Sequence, residues 1–244
     1  MKTLNTAALR SFLLKDYEIT SNKSAPQRLL LKVSEEPQAA RGTASYTRFA
    51  RWTRLRLWRR LLDRLRRTWR LAYGDTAQPS AMVIDNRTCR SAPSCFVRGV
   101  DSGKKIRGVK VSIAVEKYGI PLVIDATPAN VHDTTGIVPV LRQLVENSFQ
   151  GPAIGDLGYR RQRLARTAAA LGIAIQPIAR SRDGVFIPTG IAWVVERSFS
   201  WITRHRRLNT IVERTKSTSS LSSIAFISIL ARRLKRLVIQ DASA

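Results

Sequence analysis

KVSIAVEKYGIPLVIDATP, residues 110–128, decides the fold. Two β-rich runs flank Lys117-Tyr118-Gly119, and a glycine-bearing turn between such runs reads as a hairpin. Upstream, AMVID (81–85) is a short buried strand, and SAPSCFVRGVDSGKKIRG is a basic, glycine-containing loop leading into the hairpin. Downstream, a helix is expected from about 134 to 147 with Asp133 or Thr134 as its cap. PAIGD (152–156) is a second short buried strand, RRQRLARTAAAL a helix closed by Gly172, and IAIQPIA (173–179) a third such strand. SRDGVFIPTG (181–190) is a loop, a helix from about 192 to 208 carries WVVERSFSW, and a last helix spans about 219 to 238.

This order predicts an α/β fold: a mixed sheet with helices on both faces. Three successive antiparallel strands followed by βα units is the element order of the ribonuclease H-like fold. In it the first strand lies beside and parallel to the fourth. Asp85 and Asp156, each ending a short apolar strand, then come to the same end of neighbouring strands, where open α/β sheets hold their sites. Two carboxylates there repel each other unless a cation lies between them. Glu196, set among Trp193, Val194, Val195 and Phe199, is the third candidate, delivered by a helix. Three oxygen ligands around Mg²⁺ leave positions for water and a phosphate oxygen. Taken singly, Asp85 could terminate a strand in a turn, Asp156 could cap a helix, and Glu196 could pair with Arg197 on the surface. Asp125 falls on the edge strand, Asp133 reads as a helix cap and His132 as a loop residue.

Composition narrows the partners. With 42 Lys+Arg against 17 Asp+Glu the chain carries a formal charge of +25, which would make a compact monomer repel itself unless a polyanion lies against it. Nucleic acid fits; an anionic membrane surface is the rival. The longest apolar run, LSSIAFISILA (221–231), is too short to span a bilayer and stops at Arg232-Arg233, so it reads as a core helix and no membrane is expected. Cys89 and Cys95 suit a reducing cytosol. With only His132 and His205 as imidazoles, no zinc-type cluster assembles, and any catalytic metal must be held by oxygen.

Residues 1–43 show no sustained period and read as weakly structured. YTRFARWTRLRLWRRLLDRLRRTWRLAY (46–73) sets Phe49, Trp52, Leu55, Trp58, Leu62, Leu65 and Trp69 at helical spacing with arginines elsewhere, giving a basic helix or helix pair. The expected division is an N-terminal segment to 43, a basic helical DNA-binding region and linker over 44–80, and a catalytic domain over 81–244 that includes the C-terminal helix.

IDNRTCRS, DSGKKIRGVKVSIAVEKYGIPL, GDLGYR and WVVERSFSWITRHRRL, in that order, resemble the catalytic core of DDE transposases from bacterial insertion sequences of the IS-five group. The resemblance covers roughly residues 46–238; residues 1–43 do not share it. It implies that Asp85, Asp156 and Glu196 are the catalytic and metal-holding acids, with Mg²⁺ or Mn²⁺, two ions, as cofactor. It implies cleavage and joining of double-stranded DNA at the element's inverted repeats and at target DNA, by a homo-oligomer assembled on DNA in the nucleoid of a bacterial cytoplasm. Lys104, Lys105, Arg107 and Lys110 before and at the start of the second strand, Arg197, Arg204, Arg206 and Arg207 on or beside the glutamate helix, and Arg51 and Arg59 of the basic helices are the candidates for phosphate contact. Two other readings stand beside this one: an inactive truncated remnant that only binds DNA, and a basic packaging protein without a site.

Overall fold

The computed structural model describes residues 38–178 and 192–242. The expectations for residues 1–37, for Ala179 and for the loop at 181–190 lie outside the described residues. Helix α1 (Gln38–Arg54) and helix α2 (Leu57–Ala72) resolve the basic stretch as a pair, broken at Arg56, whose φ of 54° is left-handed. The first of them begins inside the segment expected to be weakly structured. Its Gln-Ala-Ala-Arg start consists of good helix formers and lacks the apolar spacing on which that expectation relied.

Strand β1 (Met82–Ser91) is followed by β2 (Gly99–Asp101), β3 (Ile106–Val115) and β4 (Pro121–Pro128). Helices α3 (Asp133–Gly136) and α4 (Val138–Glu146) lead to β5 (Ala153–Asp156), a 3-10 turn (Leu157–Tyr159), α5 (Gln162–Ala169) and β6 (Ile175–Ile178). Beyond the undescribed loop come α6 (Ala192–Thr203), α7 (Arg206–Asn209), β7 (Thr210–Ile211) and the long α8 (Thr215–Ala242).

The sheet is mixed, as the element order predicts. β1 is antiparallel to β3 and β3 to β4, while β5 is parallel to β1 and β6 parallel to β5. Strand β4 lies outermost of the hairpin, and β1 sits beside β5, the strand that follows α4, the ribonuclease H-like arrangement. β3 is buried along most of its length because both faces of the sheet are covered. On one face Val83, Cys89, Val111, Ile113 and Val115 pack against Leu62 and Trp69 of α2, Val194, Val195 and Phe199 of α6, and Phe226 of α8. On the other, Met82, Ile84 and Ala114 meet Val140, Leu141 and Leu144 of α4 and Leu164 and Ala168 of α5.

Gly108 and Gly119 are required by geometry. A Cβ on Gly108 would lie 1.8 Å from the carbonyl oxygen of Cys89 on the neighbouring strand, and Gly119 turns the hairpin at φ 77°. The hairpin turn is also the anchor of the helix pair. Glu116, fully buried, accepts from Tyr118 and Ile120 backbone N–H groups and pairs with buried Arg70 of α2 at 2.7 Å. Asp75 accepts from Lys117 Nζ and from the Tyr118 hydroxyl. Helix α2 is thus packed against the sheet through Leu62, Trp69 and Arg70.

Candidate active site

Strand β1 is twice as long as its apolar start suggests, so Asp85 lies within it and not at its end. The polar residues that disguise the second half are paired by β3 through Arg90 and Gly108. What ends near Asp85 is the neighbour. Met82 pairs with Ala153 and Val83 with Ile154, and this register carried on two residues brings Asp85 level with Asp156, the last residue of β5. The two carboxylates therefore share one level of the sheet where β1 and β5 part, a crevice of the kind that holds sites in open α/β sheets.

Their environments differ. Asp85 Oδ1 accepts from the Asn86 backbone N–H at 2.8 Å, and burial foremost, with help from the charge of Asp156, pushes its carboxyl up to about 6, against the opposing pull of that N–H and of Lys104. Asp156 is exposed and accepts from Gly158 N–H at 2.9 Å, capping the 3-10 turn. That turn is fastened to β1 from the far face, where Asn86 Nδ2 donates to the Tyr159 hydroxyl at 2.8 Å. Because the Asp85 carboxyl is raised on folding, the native chain holds a proton that the unfolded chain releases between about pH 4 and 6. Stability falls as pH rises through that window, and above it the metal-free fold carries the full cost of two neighbouring charges. A cation held between them removes that cost, and an all-oxygen pair suits Mg²⁺ or Mn²⁺.

Glu196 is exposed on α6. Its helix packs on the sheet face that holds Val83, and alternation along β1 puts Asp85 on that same face. Among the described residues, however, no three His, Cys, Asp or Glu side chains are grouped closely enough to hold an ion. The structure brings Asp85 and Asp156 together and leaves Glu196 outside the pair. Asp125 lies on β4, opposite Ser112 of β3. Asp133 does not cap its helix: His132 Nδ1 accepts from Thr134 N–H in that role. Asp133 instead takes the ammonium of Lys110.

The basic candidates divide. Lys104, Lys105, Arg107, Arg51, Arg204 and Arg206 are exposed, and Lys104 is near enough to Asp85 to draw its carboxyl downward. Lys110 is withdrawn from the expected phosphate set: it is buried, bonds to the Val131 carbonyl and Asp133, and lies 3.7 Å from Asp101. Arg59 is spent on Gln143 through its side-chain and backbone oxygens. Arg207 is exposed but paired with Glu213, and Arg197 is packed between Trp193 and Trp201. Sequence reasoning also passed over Glu116, although an acid closing the run KVSIAV carries the same signal that singled out Glu196.

Residues 76–182, spanning both aspartates, match the family described as transposase DDE domain. The segment that carries both aspartates is similar to transposase DDE domains. A Burkholderia cepacia protein assigned as a transposase for insertion sequence element IS402 is 32% identical over 118 residues, 44% of this chain and 54% of that protein. The chain thus spans about half the length of the curated relative it matches. The catalytic core domain of BIV integrase aligns with 61% of this chain and 82% of its own at 15% identity and a TM-score of 0.38, too distant to add to the strand order observed directly. Glu196 lies beyond the matched segment of the DDE domain, so its part in the site rests on its place in the fold. No helix among the described residues is long and apolar enough to cross a membrane.

Proposed function

We propose that this chain is an insertion-sequence transposase of the IS-five group that cleaves and joins DNA strands at the element's inverted repeats. The observation that carries the reading is the shared level of Asp85 and Asp156 at the parting of β1 and β5 inside a DDE domain. Asp85, Asp156 and Glu196 would hold two divalent ions, Mg²⁺ or Mn²⁺, with Glu196 reaching the pair from α6 by its own side-chain rotation. Such ions, when bound, favour a water or 3′-hydroxyl nucleophile and offset the charge on the departing 3′-oxygen. The chain's residues do the rest. The exposed Lys104, Lys105 and Arg107 seat a phosphate beside the aspartates, while Arg51, Arg204 and Arg206 contact the flanking backbone. A homo-oligomer assembled on the two element ends within the bacterial nucleoid completes the reading.

Incubation of the chain with a duplex carrying the element's own ends tests it: Mg²⁺-dependent nicks bearing 3′-hydroxyls are expected, and their absence at every divalent ion tried would sink it. A second reading, a remnant that binds DNA without cutting, is favoured by the position of Glu196 outside the pair; the same assay separates the two. Binding itself makes a further prediction. If those six exposed cations each neutralise one phosphate, the logarithm of affinity falls against the logarithm of salt with a slope of about −5. A salt titration of duplex binding measures it, and a slope near zero would defeat the polyanion reading.

A further inference from the structure

Three side chains on α6, Trp193, Arg197 and Trp201, recur at intervals of four and so share one stripe. The Arg197 guanidinium lies 4.2 Å from the Trp193 ring and 5.1 Å from the Trp201 ring. Beyond Trp201, Arg233 of α8 stands 4.4 Å from its ring and 5.6 Å from the ring of Trp69 on α2. Indole and guanidinium thus alternate through three helices, from the exposed first turn of α6 to the buried end of α2. Arg197 Nε is buried without a hydrogen-bond partner while Nη2 donates to the Lys117 carbonyl at 3.5 Å, so two rings and one long hydrogen bond hold this guanidinium. Beside the ladder, Ser198 Oγ donates to the Gly119 carbonyl at 2.8 Å, tying the same helix to the hairpin turn.

We propose that Arg233 is a positioning residue for the carboxylate of Glu196, acting through this ladder. The inference rests on the reading of Glu196 as the third metal ligand. A carboxylate on a helix of about 10 Å diameter moves by roughly 2 Å when the helix turns by about 20° about its axis. Mg²⁺ tolerates no such error, since it demands near-ideal octahedral geometry at about 2.1 Å. With α6 pinned against rotation, closing the site is left to the rotamers of Glu196. With α6 loosened, the carboxylate must be ordered against a mobile backbone, and the metal binds more weakly. Arg233 itself touches neither metal nor DNA in this account.

The test uses the full chain labelled with nitrogen-15 at tryptophan, titrated with Mn²⁺, whose paramagnetism broadens the indole signals nearest the ion. Trp193, one helical turn before Glu196, reports the site. In the wild type its indole signal broadens first among the tryptophans. Arg233→Gln should shift the Trp193 and Trp201 signals before any metal is added and should require about tenfold more Mn²⁺ for the same broadening, the size of effect that outer-shell partners have on metal sites. Arg233→Lys, which keeps the cation, should need less than about threefold more. Should Arg233→Gln fail to fold, Trp201→Phe weakens the same ladder with less loss of volume and should show a smaller shift in the same direction. A variant that melts earlier yet broadens Trp193 at the wild-type Mn²⁺ concentration would show that the ladder only packs, and overturns the proposal. Mn²⁺ binding that Asp156→Asn abolishes but that leaves Trp193 sharp in the wild type would instead overturn Glu196 as a ligand, and this inference with it.

Discussion

Glu196→Gln and Asp156→Asn chains are expected to bind duplex DNA as well as the wild type while losing about 10²- to 10³-fold of Mg²⁺-dependent strand cleavage. On the proposed reading either change removes a charged oxygen from the ligands of the ions, and groups aimed at developing charge are typically worth ~3 to 4 kcal/mol, with each 1.36 kcal/mol a factor of about ten in rate. Binding survives because the exposed cations, Lys104, Lys105 and Arg107 among them, are untouched. It should improve slightly, since each substitution removes a negative charge from a surface that meets phosphates. Single-turnover cleavage of an end-labelled duplex, run beside a binding titration, reads both quantities. Cleavage by Glu196→Gln at the wild-type rate would remove Glu196 from the site and leave a two-aspartate centre.

The second large effect concerns stability. Arg70→Ala should destabilise the fold by about 3 to 5 kcal/mol, because it strands a buried carboxylate. Glu116 is fully buried and Arg70 5% exposed, with 2.7 Å between the paired atoms, so no water replaces the lost partner. Burial already raises the Glu116 carboxyl, and the guanidinium opposes that rise. For a chain of this size the loss corresponds to a fall in melting temperature of roughly 10 °C. Replacing both partners at once, Arg70→Met with Glu116→Leu, should recover most of the stability, since an apolar pair leaves no orphaned charge. Denaturant unfolding of the two variants beside the wild type decides it. A loss below about 1 kcal/mol for Arg70→Ala would mean that the pair is hydrated and that the helix pair is not locked to the hairpin turn.

That lock shows where the sequence is legible and where it is not. The hairpin at 110–128 was readable because glycine and two β-rich runs are local signals, and from it the strand order followed. The second half of β1 was not. Asn86, Arg87, Thr88 and Arg90 read as polar loop until their partners are known: Tyr159 for Asn86, Asp101 for Thr88, and the whole of β3 for the backbone. Strands β2 and β7, of three and two residues, are too short to show alternation. Among the site residues, the two aspartates were legible as chain ends of apolar runs, and the parallel register brought them level. The basic residues were legible only as charge. Lys110 and Arg59 look like Lys104 and Arg51 in sequence, yet the first two face inward to Asp133 and Gln143, a distinction made by strand register and helix face over more than 20 and 80 intervening residues respectively.

The pairing of Asp85 with Asp156 around a cation is the claim on which the rest depends, and Mn²⁺ affinity measured across pH tests it most directly. Because the Asp85 carboxyl is pushed up to about 6, a proton competes with the metal below that pH and is released above it. For the wild-type chain Mn²⁺ affinity should be level above about pH 7 and fall by about tenfold per pH unit below about 6, with the inflection gone and the affinity reduced in Asp85→Asn. Binding that is unchanged from about pH 8 to 5, or that is the same in Asp85→Asn as in the wild type, would contradict the account.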